Sequence, residues 1–382
     1  MRIATTTGSH SRPSSNRLNR TLLATAVASA CALPALAQAQ TQVLPGLTIY
    51  GRVNVSYERI ETKNSSNTAL QPNESNWDLV DNSSRIGFRG RKELTPGLFG
   101  HFQIESRVRL DSGGTQDTAF LSSRDSYAGL EGGWGNIRFG RTIGPVYYAT
   151  YDYISMHNHD TGTSADALLA PTIFGNQGFM NDTLWYTSPK LAGAFTVDLV
   201  HSLLGATRVP GLSQPRYLGV VGAYDRGPLH AAVSYAQTEN TNDLGGGKAN
   251  NDRAYTIGGL YDFKAFVLGA LYERADSDLL VGDVSRNYWR VSGMMPVGKH
   301  EFHLNFGTVN GRTDADLGSD GAKQWTIGYN YNITKETKVY GFYTRVDNDS
   351  NGNYGAGNVF PNTVAVNGVD VSSIAVGVRH NF

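Results

Sequence analysis

From about residue 47 onward, apolar and polar residues alternate with a period of two. In His101–Leu110, Phe102, Ile104, Val108 and Leu110 share one face with Ser106, and His101, Gln103, Glu105, Arg107 and Arg109 share the other. In Lys323–Tyr331, Trp325, Ile327, Tyr329 and Tyr331 point one way, and Gln324, Thr326, Gly328 and Asn330 the other. Near the C-terminus Ile374, Val376, Val378 and Phe382 alternate with Ala375, Gly377, Arg379 and Asn381. Successive side chains of a strand leave on opposite faces, so each segment predicts a strand with one wet and one greasy face. Sixteen such segments follow one another, at about 47–58, 79–91, 97–110, 121–131, 134–141, 181–188, 190–202, 216–226, 228–239, 252–263, 265–276, 285–295, 299–310, 322–332, 337–347 and 370–382. No stretch sustains the longer period of an amphipathic helix.

The connections sharpen this picture. Seven are short: Glu93–Gly97, Glu131–Trp134, Ser188–Lys190, Asp225–Pro228, Asp262–Lys264, Pro296–Lys299 and Asn332–Glu336. Eight are longer and polar, and the two kinds alternate along the chain. Short turns at one end and long loops at the other describe an up-and-down meander that spans an outer membrane, whereas a soluble sandwich would show Greek-key crossovers. An even number of strands brings both chain ends to the short-turn side. The expected fold is all-β, a transmembrane 16-stranded antiparallel up-and-down β-barrel over residues 40–382. Sixteen strands leave an aqueous lumen where eight would be filled by side chains. The polar face then lines water, the apolar face meets lipid, and closure gives every backbone group a partner.

Ahead of the barrel, Arg17 and Arg20 precede an uncharged run from Thr21 to Ala37. Small-residue sites follow at Ala37-Gln38-Ala39 and Ala35-Leu36-Ala37. A basic stretch, a short apolar stretch and such a site make a secretory signal peptide, taken here as residues 1–39 with cleavage after Ala39. The single cysteine, Cys31, falls inside it, so the mature chain has no thiol for a disulfide, a zinc site or a nucleophile. The charge balance changes accordingly. The whole chain has 33 Lys+Arg against 33 Asp+Glu, and removing the four arginines of the leader leaves 29 against 33, a net of −4. That excludes a dedicated nucleic-acid binder. Hydrophobic content of 40% and charge of 17%, with 44 Gly and 20 Tyr, suit a barrel with a wet lumen and tyrosines at the lipid interface.

The longest connection, about 142–180, lies between the fifth and sixth strands. A loop of that length is usually functional, and here it is expected to fold inward as the third long loop and narrow the channel. Its acids are Asp152, Asp160 and Asp166, with His157 and His159 close by. Alternation places Arg52, Arg85, Arg89, Glu105, Arg107, Arg109, Arg138 and Arg379 on the lumen face, and Arg141 ends the fifth strand where the loop begins. Arginines on one wall opposite loop carboxylates set up a transverse field that sorts solutes by charge. The constriction set is therefore Arg52, Arg85, Glu105, Arg107, Arg109, Arg141, Asp160 and Asp166, and its arginine excess favours anions.

Several stretches resemble the Gram-negative general porins, above all their neisserial and burkholderial branch. They are Thr48–Tyr57 (TIYGRVNVSY), Ser84–Gly90 (SRIGFRG), Phe102–Ser106 (FQIES), Arg124–Leu130 (RDSYAGL), Trp134–Arg141 (WGNIRFGR) and Arg379–Phe382 (RHNF). The resemblance runs over essentially the whole mature chain. It implies a homotrimer of sixteen-stranded barrels with the third loop folded into each lumen. It supports Arg85 and Arg141 as constriction arginines and Phe382 as the outer-membrane assembly signal. Two features depart from the family: the long loop lacks the Pro-Glu-Phe-Gly-Gly element of enterobacterial relatives, and Met180–Pro189 (MNDTLWYTSP) lacks the arginine that often precedes that strand.

Asp347-x-Asp349-x-Asn351-Gly352 matches half of a calcium loop, but Asn358 stands at its twelfth position and no helix flanks it. Gly245-Gly246-Gly247-Lys248 is followed by Ala249 where a phosphate loop needs Ser or Thr. No Gly-x-Ser-x-Gly or His-Glu-x-x-His occurs. The expected function is passive diffusion of ions and small hydrophilic solutes across the outer membrane. It involves no enzyme activity, no cofactor and no metal, and outer-membrane lipid and a homotrimer are the partners. The competing readings are an outer-membrane adhesin or structural barrel without an open channel, and an exported soluble β-rich binding protein.

Overall fold

The computed structural model describes residues 40–112, 124–144, 146–147, 168, 178–206, 208–245, 247–279, 282–311, 319–355 and 366–382, with backbone alone at 40–44, 279 and 282. Eighteen strands lie among them. They are β1 (Gln40–Leu44), β2 (Leu47–Lys63), β3 (Ser75–Asp81), β4 (Arg85–Thr95), β5 (Leu98–Arg107), β6 (Ser126–Gly132), β7 (Gly135–Ile143), β8 (Phe179–Thr187) and β9 (Phe195–Ser202), followed by β10 (Arg216–Arg226), β11 (Leu229–Asp243), β12 (Ala249–Asp262), β13 (Val267–Leu279), β14 (Gly282–Val297), β15 (His300–Val309), β16 (Ala322–Asn332), β17 (Thr337–Asn348) and β18 (Asp370–Asn381).

Apart from β3 and β4, each strand pairs antiparallel with the next, and β18 returns to β2, so the sheet closes on itself. β3 and β4 both pair with β2 and are two halves of one barrel strand, which makes a ring of sixteen. Their break at Asn82–Ser84 keeps its hydrogen bonds. The Asn82 N–H donates to the Asn54 carbonyl at 2.8 Å, and the Asn54 N–H donates to Ser84 Oγ at 2.9 Å. β1 turns back along β2, from Gln40 opposite Tyr50 to Leu44 opposite Leu47, and continues the line that β18 leaves at Phe382.

The distribution of side chains is that of a soluble protein turned inside out. Phe102, Ile104, Val233, Ile257, Leu304, Phe306, Ile327 and Val376 are exposed on the outer face. Asn54, Ser56, Glu58, Ser292, Asn305, Thr326, Thr344 and Ser373, which alternate with such residues, are buried within. In lipid this is the stable arrangement, because each outward Leu, Val or Phe gains about 1.5–3 kcal/mol on leaving water. Paired aromatic rings mark the edges of the apolar band. Tyr57–Trp77 (4.9 Å), Tyr272–Trp289 (4.3 Å) and Trp325–Tyr343 (5.0 Å) stand toward the long loops, and Phe195–Tyr224 (4.9 Å), Tyr261–Phe263 (4.6 Å) and Phe302–Tyr329 (5.4 Å) toward the short turns. Two such girdles are characteristic of outer-membrane barrels.

Three expectations from the alternation are corrected. The eight polar connections are not all long: β11 and β12 are joined by Leu244–Lys248, and β13 and β14 by residues 280–281 alone. The ladder there runs on above the lipid, with Asp278 opposite Asp283, where both faces are wet and no alternation betrays the strand. The strand expected from residue 190 begins at Phe195, because Leu191–Ala194 is a turn with Ala192 at φ 49° and Gly193 at φ 69°. The inner wall is also not uniformly polar. Tyr217, Val221, Ala236, Leu271, Tyr288 and Val309 form one apolar bed with Val146 and Leu168 of the β7–β8 connection. Leu168 lies against Gly307, where an added Cβ would come within 3.5 Å of Leu168 Cδ1. Gly307 is on β15, which stands diametrically across the ring from β7. The third long loop therefore reaches across the lumen and is footed on apolar wall.

Candidate pore constriction

Three of the expected arginines meet. Arg52 on β2 lies directly opposite Arg85 on β4, and Arg85 lies opposite Arg107 on β5. The row continues the other way through β18. Arg52 Nε donates to Asn381 Oδ1 at 3.0 Å, and Arg379, two residues earlier, lies opposite Lys338 on β17. The Lys338 ammonium is 3.5 Å from Glu301 Oε2. Like charges set opposite one another weaken a sheet, so this wall gives up stability to hold cations along the lumen.

Glu105 sits among these cations. Its Oε2 accepts from the Tyr50 hydroxyl at 2.9 Å, and its Oε1 from Arg124 Nε at 2.5 Å. Tyr50 reaches Glu105 over Gly87, where a Cβ would overlap Tyr50 Cζ, so the ring can lie across β4 only because no side chain stands there. The Arg89 guanidinium covers the same ring, 4.8 Å from its centroid. Tied to both Arg124 and Tyr50, and with Arg85 as a further cation in its field, Glu105 is a carboxylate set into the basic wall.

Arg141 stands on the long-loop side of β7. Its Nη1 donates to Asn181 Oδ1 at 2.5 Å, and its guanidinium lies 5.4 Å from the Phe179 ring centroid. A bulge puts Asn181 there: between the pairs Gly140–Thr183 and Thr142–Met180, β8 carries one residue more than β7, with Asp182 at φ 50°. Such bulges re-aim side chains at barrel rims. The Arg124 guanidinium lies 5.0 Å from the same Phe179 centroid. Tyr50, Glu105, Arg124, Phe179 and Arg141 thus form one connected line.

Arg109 lies past the end of β5 and makes a two-pronged bond to Asp111, with Nε to Oδ1 at 3.1 Å and Nη2 to Oδ2 at 2.8 Å. That bond, with help from Ser112, pulls the Asp111 carboxyl down to about 2. Asp160 and Asp166, with Asp152, His157 and His159, lie outside the described residues. Arg138 is in the lumen, stacked 3.5 Å from the Trp185 centroid and donating to Thr187 Oγ1 at 3.2 Å. The wall opposite the arginines carries Asp252 and Glu273, held by Ser277 and Thr256. Sequence reasoning left Arg124 and Lys338 out of the constriction set. The expected segment 121–131 gave Arg124 the parity of the outward Leu130, but β6 begins only at Ser126, so that parity did not apply, whereas Lys338 shares the parity of Tyr340 and Thr344 and could have been read. Among the described residues no group of three His, Cys, Asp or Glu could hold a metal ion. In the calcium-like stretch, Asp349 accepts from Ser319 Oγ at 2.8 Å and Asn351 N–H donates to the Ser319 carbonyl at 2.8 Å, so these residues tie two loops together.

A closed sixteen-stranded barrel with lipid-facing girdles, a loop across its lumen and a charged inner wall defines a porin-type channel. The chain belongs to the Gram-negative porin family, whose family model matches residues 24–351. Among its relatives, outer membrane porin protein 32 of Delftia acidovorans is 27% identical over 96% of this chain and 100% of its own. An outer membrane porin protein of Bordetella pertussis is 24% identical with the same coverage, and the major outer membrane protein P.IB of Neisseria sicca is 33% identical over 41% of this chain and 42% of its own. Of solved structures, the anion-selective porin from Comamonas acidovorans superposes with a TM-score of 0.73 at 24% identity, covering 88% of this chain and 99% of that one. A trimer form of OmpT from Vibrio cholerae gives 0.61 at 13% identity, over 89% of this chain and 100% of that one. This chain is an outer-membrane porin, a water-filled diffusion channel of the Gram-negative cell surface.

Proposed function

We propose that this porin passes small anions more readily than cations. The observation that carries the reading is the row of Lys338, Arg379, Arg52, Arg85 and Arg107 across five neighbouring barrel strands, with Asn381 between Arg379 and Arg52, Lys338 beside Glu301, and Glu105 tied to Arg124 and Tyr50. In a lumen walled by low dielectric, such a row raises the local concentration of anions and repels cations. Asp160 and Asp166 would supply the opposing negative side from the loop, and Arg141 its rim. Passage is passive: solutes move down their gradients through width and field alone, with no reaction catalysed and no cofactor. The working unit is a homotrimer embedded in outer-membrane lipid, and residues 1–39 are removed on export. Reversal potentials across a planar bilayer under a salt gradient test the selectivity. The expected sign is that of anion preference, raised further in Glu105→Gln and lowered in Arg85→Gln/Arg107→Gln, and a cation-selective wild type overturns the reading.

A further inference from the structure

Two lumen arginines stand apart from the constriction row. Arg89 lies four residues past Arg85 on β4, about 13 Å nearer the short turns, and Arg138 lies toward the short-turn end of β7. Both are partly exposed. Arg91, the next residue on the same face of β4, is paired with Glu131 at 3.1 Å. Among the described residues, Arg89 makes no hydrogen bond or ion pair, and Arg138 donates to Thr187 Oγ1 at 3.2 Å and meets no carboxylate. Each guanidinium rests instead on aromatic rings. Arg89 is 4.8 Å from the Tyr50 centroid, and Arg138 is 3.5 Å from that of Trp185 and 5.4 Å from that of Tyr127.

Tyr127 stands between the two arginines. Gln103 on β5 is opposite Arg89, and Tyr127 on β6 is opposite Gln103, so Arg89 and Tyr127 are two strand spacings apart, about 10 Å. Tyr127 lies in the field of both Arg138 and Arg89 and meets the His101 ring edge-on, with centroids 5.9 Å apart. The His101 ring can lie across β6 because Gly129 has no side chain: a Cβ there would come within 2.6 Å of it. A guanidinium stacked on a ring keeps its in-plane N–H donors for a carboxylate. An inorganic anion responds to the charge alone and makes no use of the flat surfaces beside it.

We propose that this wall is a subsite for small planar aromatic carboxylates of the benzoate type, with the carboxylate on Arg89 and the ring against Tyr127 and Arg138. It deepens the anion reading and rests on it for the sign of the solute. A guanidinium with no acid partner is open to two parallel N–H bonds from a carboxylate. The solute's ring then lies across the intervening strand, where a second guanidinium and the tyrosine face it. A saturated acid of equal charge finds the same arginine but no partner for its ring. A solute drawn through the constriction row reaches this wall next, on the short-turn side.

Block of the potassium chloride current through the full-length channel in planar bilayers, at neutral pH, tests the subsite with benzoate and cyclohexanecarboxylate as probes. The two carry one charge each, and the saturated acid is the greasier, so a preference for benzoate reports flat contacts and not hydrophobicity. Wild type is expected to be half-blocked at about tenfold lower benzoate than cyclohexanecarboxylate, the worth of a stacking contact. Arg89→Lys/Arg138→Lys, which keeps both charges and removes both flat faces, should bring the ratio close to one. Tyr127→Leu should lower it about threefold, and Arg91→Lys should keep it. Equal block by the two acids in wild type, or a wild-type ratio in the double variant, overturns the subsite. A cation-selective reversal potential in potassium chloride overturns the anion reading instead, and the two results are read from the same membranes. If the double variant fails to fold, Tyr127→Leu and the wild-type comparison still decide.

Discussion

At Gly87 a single methyl group would overlap the Tyr50 ring, and the whole lining around Glu105 depends on that space. Gly87→Ala should push the Tyr50 ring off β4, break its bond to Glu105 and cost about 1–3 kcal/mol of barrel stability. Tyr50→Phe, which keeps the ring and loses only the hydroxyl, should cost about 1 kcal/mol. Gel mobility of the folded barrel on heating in detergent measures both, and a Gly87→Ala protein that unfolds with wild type contradicts the packing. At this scale the chain was only partly legible. Parity placed Arg52, Arg85, Glu105 and Arg107 on the inner face. It could not say that Tyr50 crosses a strand to reach Glu105, because that contact depends on the side chain missing at Gly87.

The third long loop is the element with the most to lose. Its described residues Val146 and Leu168 are buried on the inner wall, and Leu168 rests on β14 and β15 across the lumen from the strand where the loop starts. Leu168→Ala should weaken that footing by about 2–5 kcal/mol, without touching the ladder that holds the barrel. Single-channel recordings should then show larger and noisier conductance, while the unfolding temperature of the barrel stays at the wild-type value. An unchanged conductance would show that the loop is held elsewhere. Loop length announced a functional segment, but its footing could not be foreseen. The apolar inner positions of β10–β13, such as Val221, Ala236 and Leu271, break the polar side of the alternation and make sense only with the loop on top of them.

For the whole molecule, closure is the decisive event, and the last residue completes it. The Gly51 N–H donates to the Phe382 carbonyl at 2.9 Å, the Phe382 N–H donates back at 3.1 Å, and the ring fills the space where a Gly51 Cβ would stand. An open barrel leaves rows of unpaired backbone groups in lipid, each costing several kcal/mol. Removal of Phe382, and equally Gly51→Val, should therefore reduce the fraction of folded barrel recovered in outer membranes several-fold, scored by heat-modifiable gel mobility. Full recovery of both variants would place the closing contact elsewhere.

The sequence by itself determined the parts that depend on period and spacing. Sixteen segments of alternating face, an even count and unlike ends require a membrane barrel, because only a closed sheet satisfies its backbone in lipid. Tertiary structure decided what depends on neighbours far apart in the chain. It set which arginines stand side by side across β18, β2, β4 and β5, and it joined Arg124 to Glu105. It placed the end of Arg109 on Asp111 and gave the loop its apolar bed. Parity along one strand fixes a face, but register between strands fixes a neighbour, and the field in this pore is made by neighbours.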